Sequence, residues 1–291
     1  MTNTAIYQLP FDQFAAARPL FSNVEYEEPF LDSVFDGLMP GQIFTDDPDH
    51  PTAALMCRTY DYFVAGNATS LLRQFIKDAP TEASVFQDFY GYVALNETWQ
   101  DALIEDHGFT KIPRHNYIYP STIPPTIDPA QIPQGGALVE IDGPLAERID
   151  RELNETIGLF WSGYPNFVRH GFGVALLVGP EVVSVAFTCA VSHTMSNIGI
   201  ATAESHRRRG YAVLVAKAYF AESLRRGLMP TWDCDEWNTG SVMTARHLQL
   251  KPRTPFTELG LGPYPRQGLT LSTGVWDSAT GDGGMIVWRK K

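Results

Sequence analysis

The sequence predicts an α/β chain, and three observations carry that expectation. Short apolar runs bounded by turn residues alternate with amphipathic stretches of helical period, most regularly after residue 136. One segment, residues 198–226, reads without a break as strand, basic glycine-containing turn and long helix. A proline-rich stretch separates this regular half from a less regular one, so that 291 residues read as two domains of ordinary size.

The elements follow in order. Residues 1–40 alternate apolar positions (Phe11, Phe14, Phe21) with acidic ones (Glu25, Glu27, Glu28) and read as surface helices with turns. Strands are expected at Gln42–Thr45 and Ala53–Val64, around the turn DDPDHP. A short amphipathic helix follows at Ser70–Lys77, then a strand at Tyr90–Leu95. Asn96 or Thr98 caps a helix that runs to His107, and Gly108 stops it. Lys111–Tyr119 returns as a strand. Residues 120–136 hold five prolines and end in two glycines, which neither a helix nor a central strand tolerates. The expected division is therefore a domain over 1–120, a linker over 121–136 and a domain over 137–291.

In the second half, Ala137–Ile141 reads as a strand and Pro144–Leu153 as a helix with proline in its first turn. The aromatic stretch Ile157–Val168 is expected to form a second helix. Gly173–Val178 and Val182–Ala190 form a hairpin around GPE, and Asn197–Thr202 is a strand. Tyr211–Arg226 is a helix with a stripe of Val213, Ala216, Phe220 and Leu224, ended by Gly227. A strand at Pro230–Cys234, a helix at Asn238–Leu248 and two strands in the tail, within LTLSTGVW and GMIVWRK, complete the chain.

Composition bounds the function. The net charge of −11 argues against non-specific nucleic-acid binding, which needs a positive field, and suits a cationic acceptor such as an amine. No apolar run reaches the roughly 18 residues of a membrane span, and the start MTNTAIYQLPFDQF lacks the pattern of a secretory signal. Cys57, Cys189 and Cys234 form no pair at metal or disulfide spacing, which fits a reducing cytoplasm. The seven histidines are scattered, so no metal site is expected.

The segment that carries chemistry is IGIATAESHRRRGYA, residues 198–212. A helix N-terminus offers unpaired N–H groups and the positive end of a dipole, which suits a phosphate. Gly210 allows close backbone approach, Ala212 leaves room against the first turn, and Arg207, Arg208 and Arg209 add positive charge. The absence of G-x-x-x-x-G-K-[ST] argues against a nucleoside triphosphatase.

The pattern R-x-x-G-x-A at 207–212, after a strand and before a helix, resembles the acetyl-CoA signature of the GNAT acyltransferase superfamily. PTWDCDEWNTGSVMTARHLQL, with Asn238 and Ser241 in an N-x-x-S register, resembles that fold's next strand and helix. The resemblance covers about residues 137–255 and is near the zwittermicin-A-resistance branch. It implies a GNAT fold, a mixed central sheet flanked by helices, and acetyl-CoA or another acyl-CoA as co-substrate. It implies that pantetheine pairs with backbone around Ile200, Ala201 and Thr202, in a gap between the strand ending near Thr202 and the one at 230–234. The pyrophosphate would sit on the amides of Arg208, Arg209, Gly210, Tyr211 and Ala212, with Asn238 on the pantetheine arm and Ser241 near the sulfur. An amine of a small molecule would attack the thioester directly; protein lysines or N-termini, and a non-catalytic acyl-CoA-binding protein, are the alternatives. A homodimer is compatible with it.

Three positions depart from the family pattern: Ser196-Asn197 where relatives often place a carboxylate, Ala245 where many place a tyrosine, and Leu248-Gln249-Leu250 where Leu-Gly-Phe is usual. The proton acceptor is therefore open among Asp233, Glu236 and His193, with Asp233 and Ser241 the expected catalytic residues. FWSGYPNF at 160–167 reads equally as an acceptor wall or as core. YVALNETWQDALIEDHGF, in the first half, echoes the family's strand–helix–Gly-Phe close without the arginine turn, which suggests a degenerate GNAT-like half.

Overall fold

Backbone pairing explains the architecture better than helix content does. The computed structural model describes residues 5–22, 24–58, 61–78, 90–261, 276–280 and 286–290. Along the chain, β1 (Tyr7–Gln8), α1 (Phe14–Ala17), α2 (Glu28–Phe35), β2 (Gln42–Thr45), β3 (Ala53–Cys57), β4 (Asp61–Gly66), α3 (Ser70–Asp78), β5 (Tyr90–Ala94), α4 (Glu97–His107) and β6 (Thr110–Ile118) come first. There follow β7 (Gly136–Glu140), α5 (Gly143–Leu153), α6 (Ile157–Phe160), α7 (Tyr164–His170), β8 (Gly173–Val178), β9 (Glu181–Val191), β10 (Met195–Thr202), α8 (Tyr211–Arg225), β11 (Met229–Asp235) and α9 (Thr239–His247). The chain closes with β12 (Lys251–Pro252), β13 (Phe256–Leu261), β14 (Trp276–Thr280) and β15 (Ile286–Lys290).

These elements form two compact units. The first is built from the described parts of 1–24, 40–113 and 257–291, the second from 25–39 and 114–256. The division differs from the expected boundary at 121–136, which lies inside the second unit. The reason is β6: its Arg114–Ile118 portion, before the proline-rich stretch, pairs antiparallel with β11.

In the first unit the order β1-β2-β3-β4-β5-β13 is antiparallel except for β4 and β5, which run parallel. The single strand expected at Ala53–Val64 is two strands. Ala53–Cys57 and Asp61–Gly66 pair as a hairpin, its neck closed by Arg58 N–H to the Asp61 carbonyl and by the Arg58–Asp61 ion pair. Asn96 caps α4 by accepting from the Trp99 amide at 3.0 Å, and Gly108 ends it in the left-handed conformation. Trp99 is fully buried among Leu55, Val64, Leu72, Leu103 and Leu259.

In the second unit the order is β7-β8-β9-β10-β11-β6, antiparallel except for the parallel pair β10–β11, with β12 on the other edge of β6. The helix expected at Ile157–Val168 is two short helices. Ser162 at φ 52° and Gly163 at φ 122° break the helical path between them. The face α8 buries is Leu214, Val215, Ala216, Ala218, Tyr219, Phe220 and Ser223, not the stripe through Val213 and Leu224. A helix apolar on nearly all sides has no sharp period, so the sheet beneath it decides which residues are covered.

Hairpin, helix, parallel strand, helix recurs: β3–β4–α3–β5–α4 in the first unit and β9–β10–α8–β11–α9 in the second. In the tail, β14 and β15 pair antiparallel; residues 262–275, which hold most of LTLSTGVW, lie outside the described residues. No described helix is long and apolar enough to cross a membrane.

Candidate functional site

The site is built where two parallel strands stop pairing. β10 and β11 match only over Met195–Asn197 and Met229–Thr231. Beyond that, Ile198–Thr202 keeps its β9 partners but has no register with β11, so Ile200, Ala201 and Thr202 present an edge toward a gap between the two strands. A bulge opposite Asn197 and Ile198, with Cys189 as the extra residue on β9, bends the strand at this point. Gly199 is required there by space. A Cβ would lie 2.6 Å from the Cys189 sulfur and 2.7 Å from the Phe187 ring.

The turn after β10 leads into an uncapped helix N-terminus beside three arginines. Gly210 sits at φ 81° as the N-cap of α8, with no side-chain hydrogen bond to the cap. The first helical bond is Leu214 N–H to the Gly210 carbonyl, so the amides of Tyr211, Ala212 and Val213 have no helical partner. The arginines at 207–209 are exposed. Arg207 donates to the Thr202 carbonyl at 3.3 Å and Arg209 to the Ser205 carbonyl at 3.3 Å, which holds their stems along the turn.

The first unit repeats the topology without this opening. β4 and β5 stay paired over Asp61–Val64, and the Leu95 amide extends the pairing to the Val64 carbonyl. The next carbonyls are taken by α4 side chains: Trp99 Nε1 donates to Ala65 at 3.1 Å and Asn96 Nδ2 to Gly66 at 2.9 Å. The Thr69 hydroxyl accepts the Leu72 amide at the start of α3, where α8 has glycine.

Alternation along β11 divides the expected catalytic residues between two faces. Asp233 shares one face with Thr231 and Asp235. Its carboxylate bonds Arg114 through one oxygen and the Asn197 amide through the other, the latter at 2.8 Å. Arg114 also bonds Asp235 at 2.9 Å and lies 5.7 Å from the centroid of Phe256. Asn197 thus bridges the strands where backbone pairing ends. Ser241 belongs to the other face: the Trp232 indole donates to its hydroxyl oxygen at 2.9 Å. Burial pushes the neighbouring Cys234 thiol up, partly offset by a hydrogen bond with Ser241. The geometry therefore does not bring Asp233 and Ser241 together on one face. Glu236 is exposed, and His193 is exposed with its ring 3.9 Å from Asp36.

Asn238 caps α9 by accepting the Ser241 amide at 3.1 Å, which leaves its N–H₂ group to donate. Asn238→Ala should lower stability by about 1 kcal/mol, read by thermal unfolding. Asn238→Asp keeps the capping oxygen but loses the donor. It should unfold like the wild type while binding acetyl-CoA several-fold more weakly; unchanged affinity would exclude the amide from the pantetheine site. In FWSGYPNF, Trp161 and Phe167 are core, with Trp161 Nε1 donating to the Thr188 carbonyl at 2.8 Å, whereas Phe160 and Tyr164 are half-buried.

Sequence reasoning missed Arg114 and Asn197 as site residues. Arg114 lies 119 residues from Asp233, and only the β6–β11 register joins them. Among the described residues no three His, Cys, Asp or Glu side chains gather as a metal site.

Comparison with known proteins agrees with this geometry. The chain is 26% identical over 259 residues to an uncharacterized N-acetyltransferase, YdfB, of Bacillus subtilis (strain 168), covering 87% of this chain and 98% of that one. Its fold is similar to a GCN5-related N-acetyltransferase-like protein from Streptococcus suis 89/1591, with a TM-score of 0.67, 22% identity, and coverage of 85% of this chain and 98% of that one. It is also similar in fold to a tandem GNAT protein from the clavulanic acid biosynthesis pathway, with a TM-score of 0.57, 10% identity, and coverage of 89% and 99%. The model of the GNAT acetyltransferase family matches residues 18–258, and the chain belongs to that family of acyl-CoA-dependent acyltransferases.

Proposed function

We propose that the second unit transfers an acetyl group from acetyl-CoA to an amine of a small molecule, by direct attack within a ternary complex. The observation that carries this reading is the parallel pair β10–β11, which opens after Asn197 and Thr231 and is followed by an uncapped helix N-terminus at Gly210. In it, pantetheine runs along Ile200–Thr202, the pyrophosphate takes the amides from Arg208 to Ala212, and the arginines of the turn neutralise its charge. Ser241, whose oxygen accepts from Trp232 at the start of α9, serves the departing thiolate where relatives use a tyrosine at the place of Ala245.

Asp233 has both oxygens engaged, which weakens it as a proton acceptor and suits it to fixing the mouth of the gap. The zwittermicin-A-resistance-like resemblance and the acidic composition support a small amine. The recurring element order and the fold likeness to a tandem GNAT protein support a first unit descended from a GNAT repeat that has lost the CoA gap.

The test is calorimetric titration with acetyl-CoA, followed by thiol release in the presence of primary amines. Asp233→Asn, assayed at saturating acetyl-CoA, should retain turnover within about tenfold. A loss of 10²–10⁴-fold, the range for removal of a general base, would return that role to Asp233.

A further inference from the structure

A buried amide at the foot of the β10–β11 opening is only half employed. Asn197 is 5% exposed and is the last residue of β10 in register with β11. Its Nδ2 group donates to the Asp233 carboxylate at 2.8 Å and to the Thr231 hydroxyl at 3.4 Å. A carboxylate only accepts, and the Thr231 hydroxyl gives its own proton to the Ser196 carbonyl at 3.2 Å, so these partners fix which end of the amide is nitrogen. The side-chain oxygen of Asn197 accepts from no described residue. Buried amide oxygens are nearly always hydrogen-bonded, and one left open is costly until a donor fills it.

The surroundings decide what donor can come. The side of the sheet that carries Ser196 is closed by α8, where the Ser196 hydroxyl bonds that of Ser223 at 3.1 Å. Asn197 projects from the other side, with Asp233 and with Asn116 and Arg114, the β6 partners of Asp233 and Asp235. The segment of Glu25, Tyr26 and α2 roofs this side. Asn116 Nδ2 donates to the Glu25 carbonyl at 2.9 Å, Arg253 pairs with Glu28 at 2.6 Å, Tyr26 stacks on Phe256 at 4.9 Å between centroids, and α2 packs on β9 and β10. Pantetheine that enters from the 207–212 turn and follows Thr202 to Ile200 must stop where the strands rejoin, at Asn197 and Thr231. The thioester, at the far end of that arm, therefore comes to this amide.

The ionisable groups around it are engaged in other bonds or hold their protons. Arg114 is shared by Asp233 and Asp235, and Glu28 holds Arg253. The Tyr219 hydroxyl of α8 donates to the Asn197 main-chain carbonyl at 3.2 Å, and burial pushes that phenol far up. On the roof, burial and then the Glu27 charge push the Tyr26 phenol up, and α2 adds Asp32. Cys189 of β9 is buried against Gly199. An amide oxygen itself accepts a hydrogen bond but not a proton.

We propose that the Asn197 side-chain oxygen receives an N–H of the acceptor as the free amine and orients it toward the thioester. The inference rests on the reading of the second unit as an amine acetyltransferase. It narrows the acceptor to a weakly basic primary amine, one that is unprotonated near neutral pH. The amine nitrogen attacks the thioester carbonyl carbon, the carbon–sulfur bond breaks, and the proton that the nitrogen sheds goes to the departing thiolate. The products are the N-acetyl amide and CoA thiol, and no proton is left for the protein to take up.

The experiment uses 4-methylaniline and benzylamine, isomers that differ in the basicity of the nitrogen. Thiol release is measured with each between pH 6 and 9, and acetyl-CoA binding by calorimetry. The wild type should prefer 4-methylaniline at pH 7 and use it at a rate that is flat with pH. Its rate with benzylamine should climb with pH as the free amine grows. Asn197→Ala should lose about tenfold in kcat/KM for 4-methylaniline, the worth of one hydrogen bond, with acetyl-CoA affinity within about twofold of the wild type. The exchanged pair Asn197→Asp with Asp233→Asn keeps an N–H···O bridge between the strands, now donated by residue 233. It turns the oxygen that meets the acceptor into a carboxylate. It should favour benzylamine relative to the wild type and move the benzylamine profile to lower pH, whereas Asp233→Asn alone should leave the preference unchanged.

An exchanged pair with the wild-type preference and pH profile would overturn the role of Asn197 and leave the acetyltransferase reading intact. An equal loss of acetyl-CoA affinity in Asn197→Ala would overturn it too, by showing that the amide only braces the strands. The wild-type preference needs no variant: faster turnover of benzylamine with a flat profile would mean that a protein base takes the proton, against the proposal. A wild type that binds acetyl-CoA but acetylates neither amine would overturn the weakly basic acceptor. One that binds no acetyl-CoA would refute the reading of the gap itself.

Discussion

Gly210→Glu should weaken acetyl-CoA binding at least a hundredfold while leaving the protein folded. Gly210 adopts φ 81° and starts α8 with no side chain over the helix end. A Cβ there meets nothing within 4 Å, so the added side chain displaces no core atom. The expected penalty is that of a left-handed conformation in a non-glycine residue, about 1 kcal/mol. The new carboxylate would take the place of the pyrophosphate at the unpaired amides of Tyr211–Val213 and repel what remained of it.

Gly210→Ala isolates the backbone effect and should bind within a few-fold of the wild type. The measurement is a pair of calorimetric titrations with a melting curve for each variant. If Gly210→Glu binds as tightly as the wild type, the phosphates do not lie on this turn. If Gly210→Ala loses binding equally, the turn's conformation rather than its charge is what the ligand needs.

The parts of the fold legible in the sequence were those set by neighbours along the chain. Asn96, Gly108 and Asn238 mark helix ends through bonds to residues three or four positions away, and each does so in the structure. The strand–turn–helix at 195–225 was legible because the arginine turn, Gly210 and the apolar helix are contiguous. Two errors came from reading apolar runs through the polar and glycine residues that interrupt them. Ala53–Val64 hides a hairpin whose turn is closed by the Arg58–Asp61 pair, and Ile157–Val168 hides a break made by Ser162 and Gly163.

Strand order was beyond reach for a different reason. β6 lies beside β11 although more than a hundred residues separate them, and nothing local in Lys111–Tyr119 announces that partner. The partner of Asp233 was out of reach for the same reason. The carboxylate's chemistry depends on a guanidinium that only the sheet register delivers.

Arg114→Ala should be the most destabilising single change in the second unit's polar interior. One guanidinium serves both Asp233 and Asp235, and all three side chains are less than a fifth exposed. Removing it leaves two carboxylates on one face of β11 without their shared cation. Breaking a buried pair in this way costs about 3–5 kcal/mol, or on the order of 10 °C in melting temperature at this chain length. Asp233→Asn should cost clearly less, because Arg114 keeps Asp235 and the new amide still meets Asn197 across the opening of the strands. The order of the two variants is the discriminating result. If Arg114→Ala melts within 2 °C of the wild type, the cluster behaves as solvated surface and cannot be what fixes the mouth of the gap. If it melts far lower while Asp233→Asn stays near the wild type in both stability and turnover, Arg114 is the keystone of the β6–β11 edge. The proton acceptor must then lie elsewhere than on β11's Asp233.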